Sequence, residues 1–369
     1  MAGDAVSAAT PSVRAVFAAL EHEGRVAANW PERVTVALAA EADAPPWYVR
    51  MLVGFGAWLA SLLLIAFVVI SVTHSGSAMI GVGVVMMIAA LGVRFASGHD
   101  FVAQAALAVS LAGQALLAFG LGKYGPSTAL WAVIGCQAAL ALAFPDRIHR
   151  FLSVLAAVSA AVVLLYYLKL QASIHVLVLA LAAGFLGLQA REGFFIARGL
   201  AQRVRPLAFG LLVAMLGCVM LSTVYVLPEL LTWRGDFSFY PRPWVSSLGF
   251  GVLLGLLEWR LVNTILRDAP VATRASFVGA SALIVAASLP APGIAASLVV
   301  LLAGFIHAER IVVGIGIGFF AVFLAAYFYG IEASLLAKSA TLTATGLVVL
   351  ALRHYLMPRL APQPGEKDA

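Results

Sequence analysis

The chain has 369 residues, of which 63% are apolar and only 11% charged, and its mean hydropathy is +1.01. That balance excludes an ordinary soluble domain, because a chain so poor in charge covers its surface with lipid. The net charge of +6 follows from where the basic residues stand along the chain, so it is no sign of nucleic-acid binding.

Residues 1–46 are polar, and no apolar run follows the initiator closely enough to make a cleavable signal. Pro11 to Glu23 and Pro31 to Glu41 read as two short amphipathic helices broken at Gly24, a cytoplasmic helical leader too small for a core of its own. Pro45-Pro46-Trp47-Tyr48 stops that leader and supplies interfacial aromatics. Twelve apolar stretches follow, near 51–72, 78–96, 101–122, 127–144, 151–168, 174–190, 206–226, 244–260, 275–290, 293–307, 311–330 and 335–355. The ninth and tenth are short and divided only by Pro290-Ala291-Pro292-Gly293, which predicts a tight hairpin or a sunken pair. The expected fold class is therefore all-α, a polytopic membrane helix bundle of about 12 transmembrane helices.

If the amino terminus is cytoplasmic and every stretch crosses, the far side holds only Lys123, Lys169, Arg234, Arg242 and Lys338 of the 23 Lys and Arg residues. That asymmetry is the positive-inside pattern of an inner (cytoplasmic) membrane protein with both termini in the cytoplasm.

The membrane part reads as written twice. Tyr166 to Ser173 is YYLKLQAS and Tyr327 to Ser334 is YFYGIEAS. Gly184 with Arg191 returns as Gly346 with Arg353, Asp146-Arg147-Ile148 as Glu309-Arg310-Ile311, Gly83 with Arg94 as Gly249 with Arg260, and Phe55-Gly56 as Phe209-Gly210. The echoes are collinear. They predict a first membrane repeat at 47–191, a cytoplasmic linker at 192–205, a second repeat at 206–357 and a disordered tail at 358–369. Six spans per copy, an even number, imply parallel repeats related about the membrane normal.

Polar residues inside spans cost free energy unless paired, so they are the candidates for function. Gln104 and Gln114 lie among small residues of the third span and serve either as helix–helix glue or as solute contacts. Gln137 and Gln189 carry the same two readings. Tyr166, Tyr327 and Tyr329 stand at the outer ends of spans five and eleven, either as interfacial belt or as part of a pathway. Glu332 and Lys338 form either a structural ion pair or a pathway or partner-binding element. At the inner ends, Glu258 and Arg260, like Glu309 and Arg310, are either locally neutralised charges or parts of a gate. His175 and His307 are isolated in sequence and make no metal site, which leaves them as structural residues or as parts of a proton relay. Cys136 and Cys218 read as apolar filler. Gly314, Gly316 and Gly318 read as a packing face. The outer segment 228–243, rich in aromatics, suits either the interface or a docking surface for another protein. No HExxH, GxSxG or Walker pattern is present, so no enzyme activity, catalytic residue, metal or cofactor is expected.

Pro46 to Trp58 (PWYVRMLVGFGAW), Phe101 to Leu121 (FVAQAALAVSLAGQALLAFGL) and Tyr327 to Arg353 with its LLAKS core resemble a bacterial family of uncharacterised polytopic membrane proteins, the domain of unknown function 4401. The resemblance covers most of the chain, including the leader. It implies an inner-membrane protein accompanied by a small membrane-anchored envelope protein bearing a GDYxxLxMP signature, and it carries over no catalytic residue. Two functions follow as expectations. A transporter-like protein would enclose a small-solute or lipid path, with a polar cavity near the midplane between its halves, reached by Gln104, Gln114 or their counterparts. A non-transporting scaffold binding that envelope protein would have a dry seam there.

Overall fold

The structure, a computed structural model, describes residues 75–96, 100–226, 240–264, 267 and 269–330, with scattered positions between 21 and 71 and between 336 and 350. The leader helices, most of the first and twelfth spans, most of the outer segment 228–243 and the tail lie outside the described residues. Among the described residues every regular element is helical. They are α1 (Gly76–Ala96), α2 (Asp100–Gly122), α3 (Pro126–Ala143), α4 (Arg147–Tyr167), α5 (Ile174–Ala190), α6 (Glu192–Ala197), α7 (Ala201–Met220), α8 (Trp244–Thr264), α9 (Val271–Ala287), α10 (Pro292–Ile306) and α11 (Arg310–Gly330). Short 3-10 turns lead into α5 and follow α7.

Eight of the helices are long and apolar enough to cross a bilayer, so the chain is a multi-pass membrane protein. Their starts and stops follow local chemistry. Pro126 opens α3 behind Gly125, whose φ of 140° a residue with a side chain rarely adopts. Asp146 caps α4 by accepting from the His149 amide at 2.9 Å. Outward faces carry Val85, Ile88, Trp131, Val176, Val252 and Ile317, large apolar side chains that water would not tolerate and lipid does.

The two short helices differ in kind. α10 has 15 residues, and ten of them, from Pro292 to Gly304, are buried. A helix surrounded by protein need not match the bilayer thickness, so its shortness carries no penalty. α9 has 17 residues, of which only Thr273 and Val285 are buried. It stands at the edge.

Helix pairing places the core. α1 and α2 pack antiparallel along much of their length, and α3 bridges α2 to α4. α7 lies between α4 and α5, α8 leans on α5 and α10, and α11 covers α10, while α9 touches α8 and α10 only lightly. The main core therefore sits where α4 and α5 meet α7, α8 and α10, around Val178, Phe185, Leu212, Met215, Phe250 and Val300. A smaller core holds Met87, Ala90, Ala106, Leu140 and Phe144. α7 begins at Ala201, within the stretch 192–205, and takes Pro206 inside it. Of the three glycines expected to form a packing face, only Gly316 meets a neighbour, at Leu301 of α10.

Candidate functional site

Polar side chains gather at four places, and each can be built from its helices. The first lies in the first half, where α2, α3 and α4 meet. Ser110 and Gln114 are one turn apart on α2, and His149 and Ser153 one turn apart on α4, so each pair shares a face. Gln114 Nε2 donates to Ser110 Oγ at 3.0 Å and stands 3.2 Å from His149 Nε2. An amide nitrogen only donates, so His149 Nε2 is the acceptor and Nδ1 carries the proton, given to Ser153 Oγ at 3.1 Å. Ser110 Oγ also reaches His149 Nε2 at 2.9 Å. Gln137 of α3 closes the chain by donating to Gln114 Oε1 at 2.7 Å. Phe144 stacks on the imidazole with centroids 3.9 Å apart. All of these side chains are buried. A cavity of about 240 Å³ adjoins the network between α2 and α3, lined by Leu111, Gln114, Ala118, Val133, Cys136 and Gln137.

The second cluster clasps the seam between the halves at the end opposite Arg147, Arg205 and Arg310. His175 of α5 receives a hydrogen bond from Ser246 of α8 at Nδ1, 2.8 Å, and its Nε2 donates to Pro241 O at 2.7 Å. Tyr240 in turn donates to Ser246 Oγ at 2.7 Å. With Nε2 holding the proton, all three groups are satisfied in one direction. Burial pushes the Tyr240 phenol well above its ordinary range, so it stays a donor.

A third cluster clasps the basic end. Arg205 of α7 pairs with Glu309 ahead of α11 and lies 4.0 Å from Glu192, while Gln189 of α5 donates to Glu309 Oε2 at 3.3 Å. Between the two clasps the seam is filled by the main core, with Val178, Leu212, Met215, Leu216 and Phe250 fully enclosed. At mid-depth large apolar side chains interdigitate where the expected cavity would lie, whereas at the basic end a cavity of about 350 Å³ opens between α4 and α7, lined by Arg147, Gln202, Arg205, Pro206 and Phe209.

The fourth place is a groove of about 470 Å³ between α8, α9 and α10, lined by Leu254, Leu261, Phe277, Ile284, Leu298 and Phe305 among others. Its wall is apolar except for Glu258 and Ser281. Glu258 is only 4% exposed, and its Oε1 has no hydrogen-bond partner among the described residues. Ser281 of α9 stands beside the carboxyl.

The residues singled out in the sequence therefore scatter. Gln114 lies in the first network and Gln104, half-buried, does not. Tyr166 and Tyr327 pack against the main core, and Tyr327 donates to Ala287 O at 3.2 Å. The Tyr329 side chain, Glu332 and Lys338 lie outside the described residues. Glu258 and Arg260 do not pair, since two residues along a helix put them on opposite faces, one buried and one exposed. Glu309 joins Arg205 across the bundle instead of its neighbour Arg310. Sequence reasoning missed His149, Ser110 and Ser153 as partners, although the one-turn spacings Ser110–Gln114 and His149–Ser153 were there to be read. It also left His175 isolated, because Ser246 and Tyr240 lie more than sixty residues on.

No curated protein and no solved structure matches the chain. The family model described as Domain of unknown function (DUF4401) matches residues 46–359. The match starts at Pro46, where the interfacial aromatics begin, so it leaves the polar leader outside. It spans every helix described above. By that coverage this multi-pass helical membrane protein belongs to the DUF4401 family.

Proposed function

We propose that the chain is a twelve-span protein of the bacterial inner membrane, built as two parallel six-helix repeats with both termini cytoplasmic. It serves there as a non-transporting scaffold for a small membrane-anchored envelope protein. The observation that carries this reading is the seam filled at mid-depth. A solute path between the halves needs a polar or water-filled gap, whereas a scaffold needs one rigid body. His175–Ser246–Tyr240 at one end and Gln189–Glu309–Arg205 at the other hold the halves in one register. The orientation is supported by the arginines of α4, α7 and α11 and by Arg191 behind α5, which gather at one end, against Lys123, Lys169 and Arg242 at the other. No catalytic role is assigned to any residue.

A transporter-like reading, with a small-solute or lipid path, is favoured by two observations of its own: the cavity beside Gln114 and Gln137, and the one lined by Arg147, Gln202 and Arg205 between the halves. Purification from native membranes, followed by mass spectrometry of what stays bound, separates the two. A stoichiometric small envelope protein supports the scaffold. A bound solute with no protein partner supports transport and overturns it.

A further inference from the structure

From the groove between α8, α9 and α10, we infer that the second half holds a binding site for an amphiphile whose protonated amine is joined close to an alkyl chain. Three observations converge. The groove has about 470 Å³, within the range of ligand pockets, about 300–1,000 Å³. Its walls, Leu254, Phe277, Ile284, Leu298, Leu302 and Phe305, suit a hydrocarbon chain and offer it no hydrogen bond. Glu258 then places one carboxylate oxygen, buried and unpartnered among the described residues, on that apolar wall.

A carboxylate in such surroundings is costly unless a cation meets it, and the neighbouring Arg260 faces the other way. The depth fits as well. Glu258 stands six residues before the end of α8, about 9 Å at 1.5 Å per residue. The amine would therefore sit just below the arginine-bearing surface, with its chain running up the groove toward mid-membrane. Ser281, hydrogen-bonded to the same carboxyl, offers its hydroxyl oxygen as a second acceptor for that head. An anionic head would meet the carboxylate, and a chain without a donor would leave it unpaired. The site thus discriminates by charge, while length is read only loosely. It does not depend on the scaffold reading, because it lies away from the seam.

Two sources share this chemistry, an aminolipid of the bilayer and a soluble long-chain amine. The test uses the full chain in nanodiscs with a photoreactive alkylamine, its chain-matched alcohol and its chain-matched carboxylate, labels being mapped by peptide mass spectrometry. The alkylamine should label peptides of α8–α10 about tenfold more than the alcohol or carboxylate, and Glu258→Gln should remove that excess. Equal labelling by amine and alcohol, or an amine excess that survives E258Q, overturns the proposal. Should E258Q fail to fold, Leu302→Trp fills the groove with the carboxylate retained, and an amine excess that persists there overturns it too. Competition by vesicles containing an aminolipid assigns the site to the bilayer, and its absence assigns it to a soluble amine.

Discussion

The two halves of the molecule treat the same problems differently. In the first, α1 and α2 are zipped. Gly83 and Gly113 face each other so closely that a Cβ on either would lie 2.6 Å from the other's carbonyl oxygen. In the second, Gly249, which the sequence echo sets against Gly83, packs instead against Leu179 of α5, and α8 stands apart from α9. Tight backbones exclude lipid and leave no groove. Splayed ones open a groove of about 470 Å³. Buried polarity divides in the same way. In the first half Ser110, Gln114, Gln137, His149 and Ser153 answer one another across three helices, and what is left over is the neutral amide oxygen of Gln137. In the second, Glu258 keeps an unanswered oxygen. Satisfied polar groups fix a fold, whereas an unsatisfied one points to a ligand.

The largest expected effect tests the zipped pair. Gly83→Leu has no room, since the clash is with backbone, and should destabilise by about 3 kcal/mol or lose the folded protein. Gly279→Leu on the loose α9 meets nothing within 4 Å and should stay within about 0.5 kcal/mol. Thermal unfolding in detergent reads both, and equal effects would erase the contrast.

Next come the polar groups, where the two halves should respond with opposite sign. His149→Leu strands Ser153 and the Gln114 amide and should cost about 1–3 kcal/mol. Glu258→Leu removes a buried carboxylate from an apolar wall and should raise stability by about 0.5–2 kcal/mol. A loss at Glu258 as large as that at His149 would mean that the carboxylate is structurally paired.

The seam gives smaller numbers. Ser246→Ala takes the bridge from between Tyr240 and His175 and should cost about 1–2 kcal/mol, read by the same unfolding measurement. Glu309→Gln weakens a pair whose arginine side chain is 61% exposed, so about 0.2–1 kcal/mol is expected, shrinking as salt is added. A larger, salt-independent loss there would show that the basic-end clasp is the stronger of the two.

The echoes in the sequence placed Gly83 and Gly249 at matching positions without saying what either touches. Gly83 is read by the next helix, and Gly249 by a helix of the other half. Pairing of that kind depends on which neighbour arrives, and no local spacing encodes it. The candidate site shows the same limit. Glu258 stood out in sequence as an intramembrane acid, but its apparent partner Arg260 was an artefact of proximity along the chain. Gln114 was legible as a buried amide, yet its partner His149 required the fold.

What the sequence determined by itself is the class. A mean hydropathy of +1.01 and apolar stretches of helix length fix a multi-pass helical membrane protein. They do so because lipid leaves the backbone no other way to satisfy its hydrogen bonds. What only the tertiary structure decided is which polar groups meet. His149 finds Gln114, His175 finds Ser246 and Glu258 finds an apolar groove, because each meeting depends on side chains brought together from different helices.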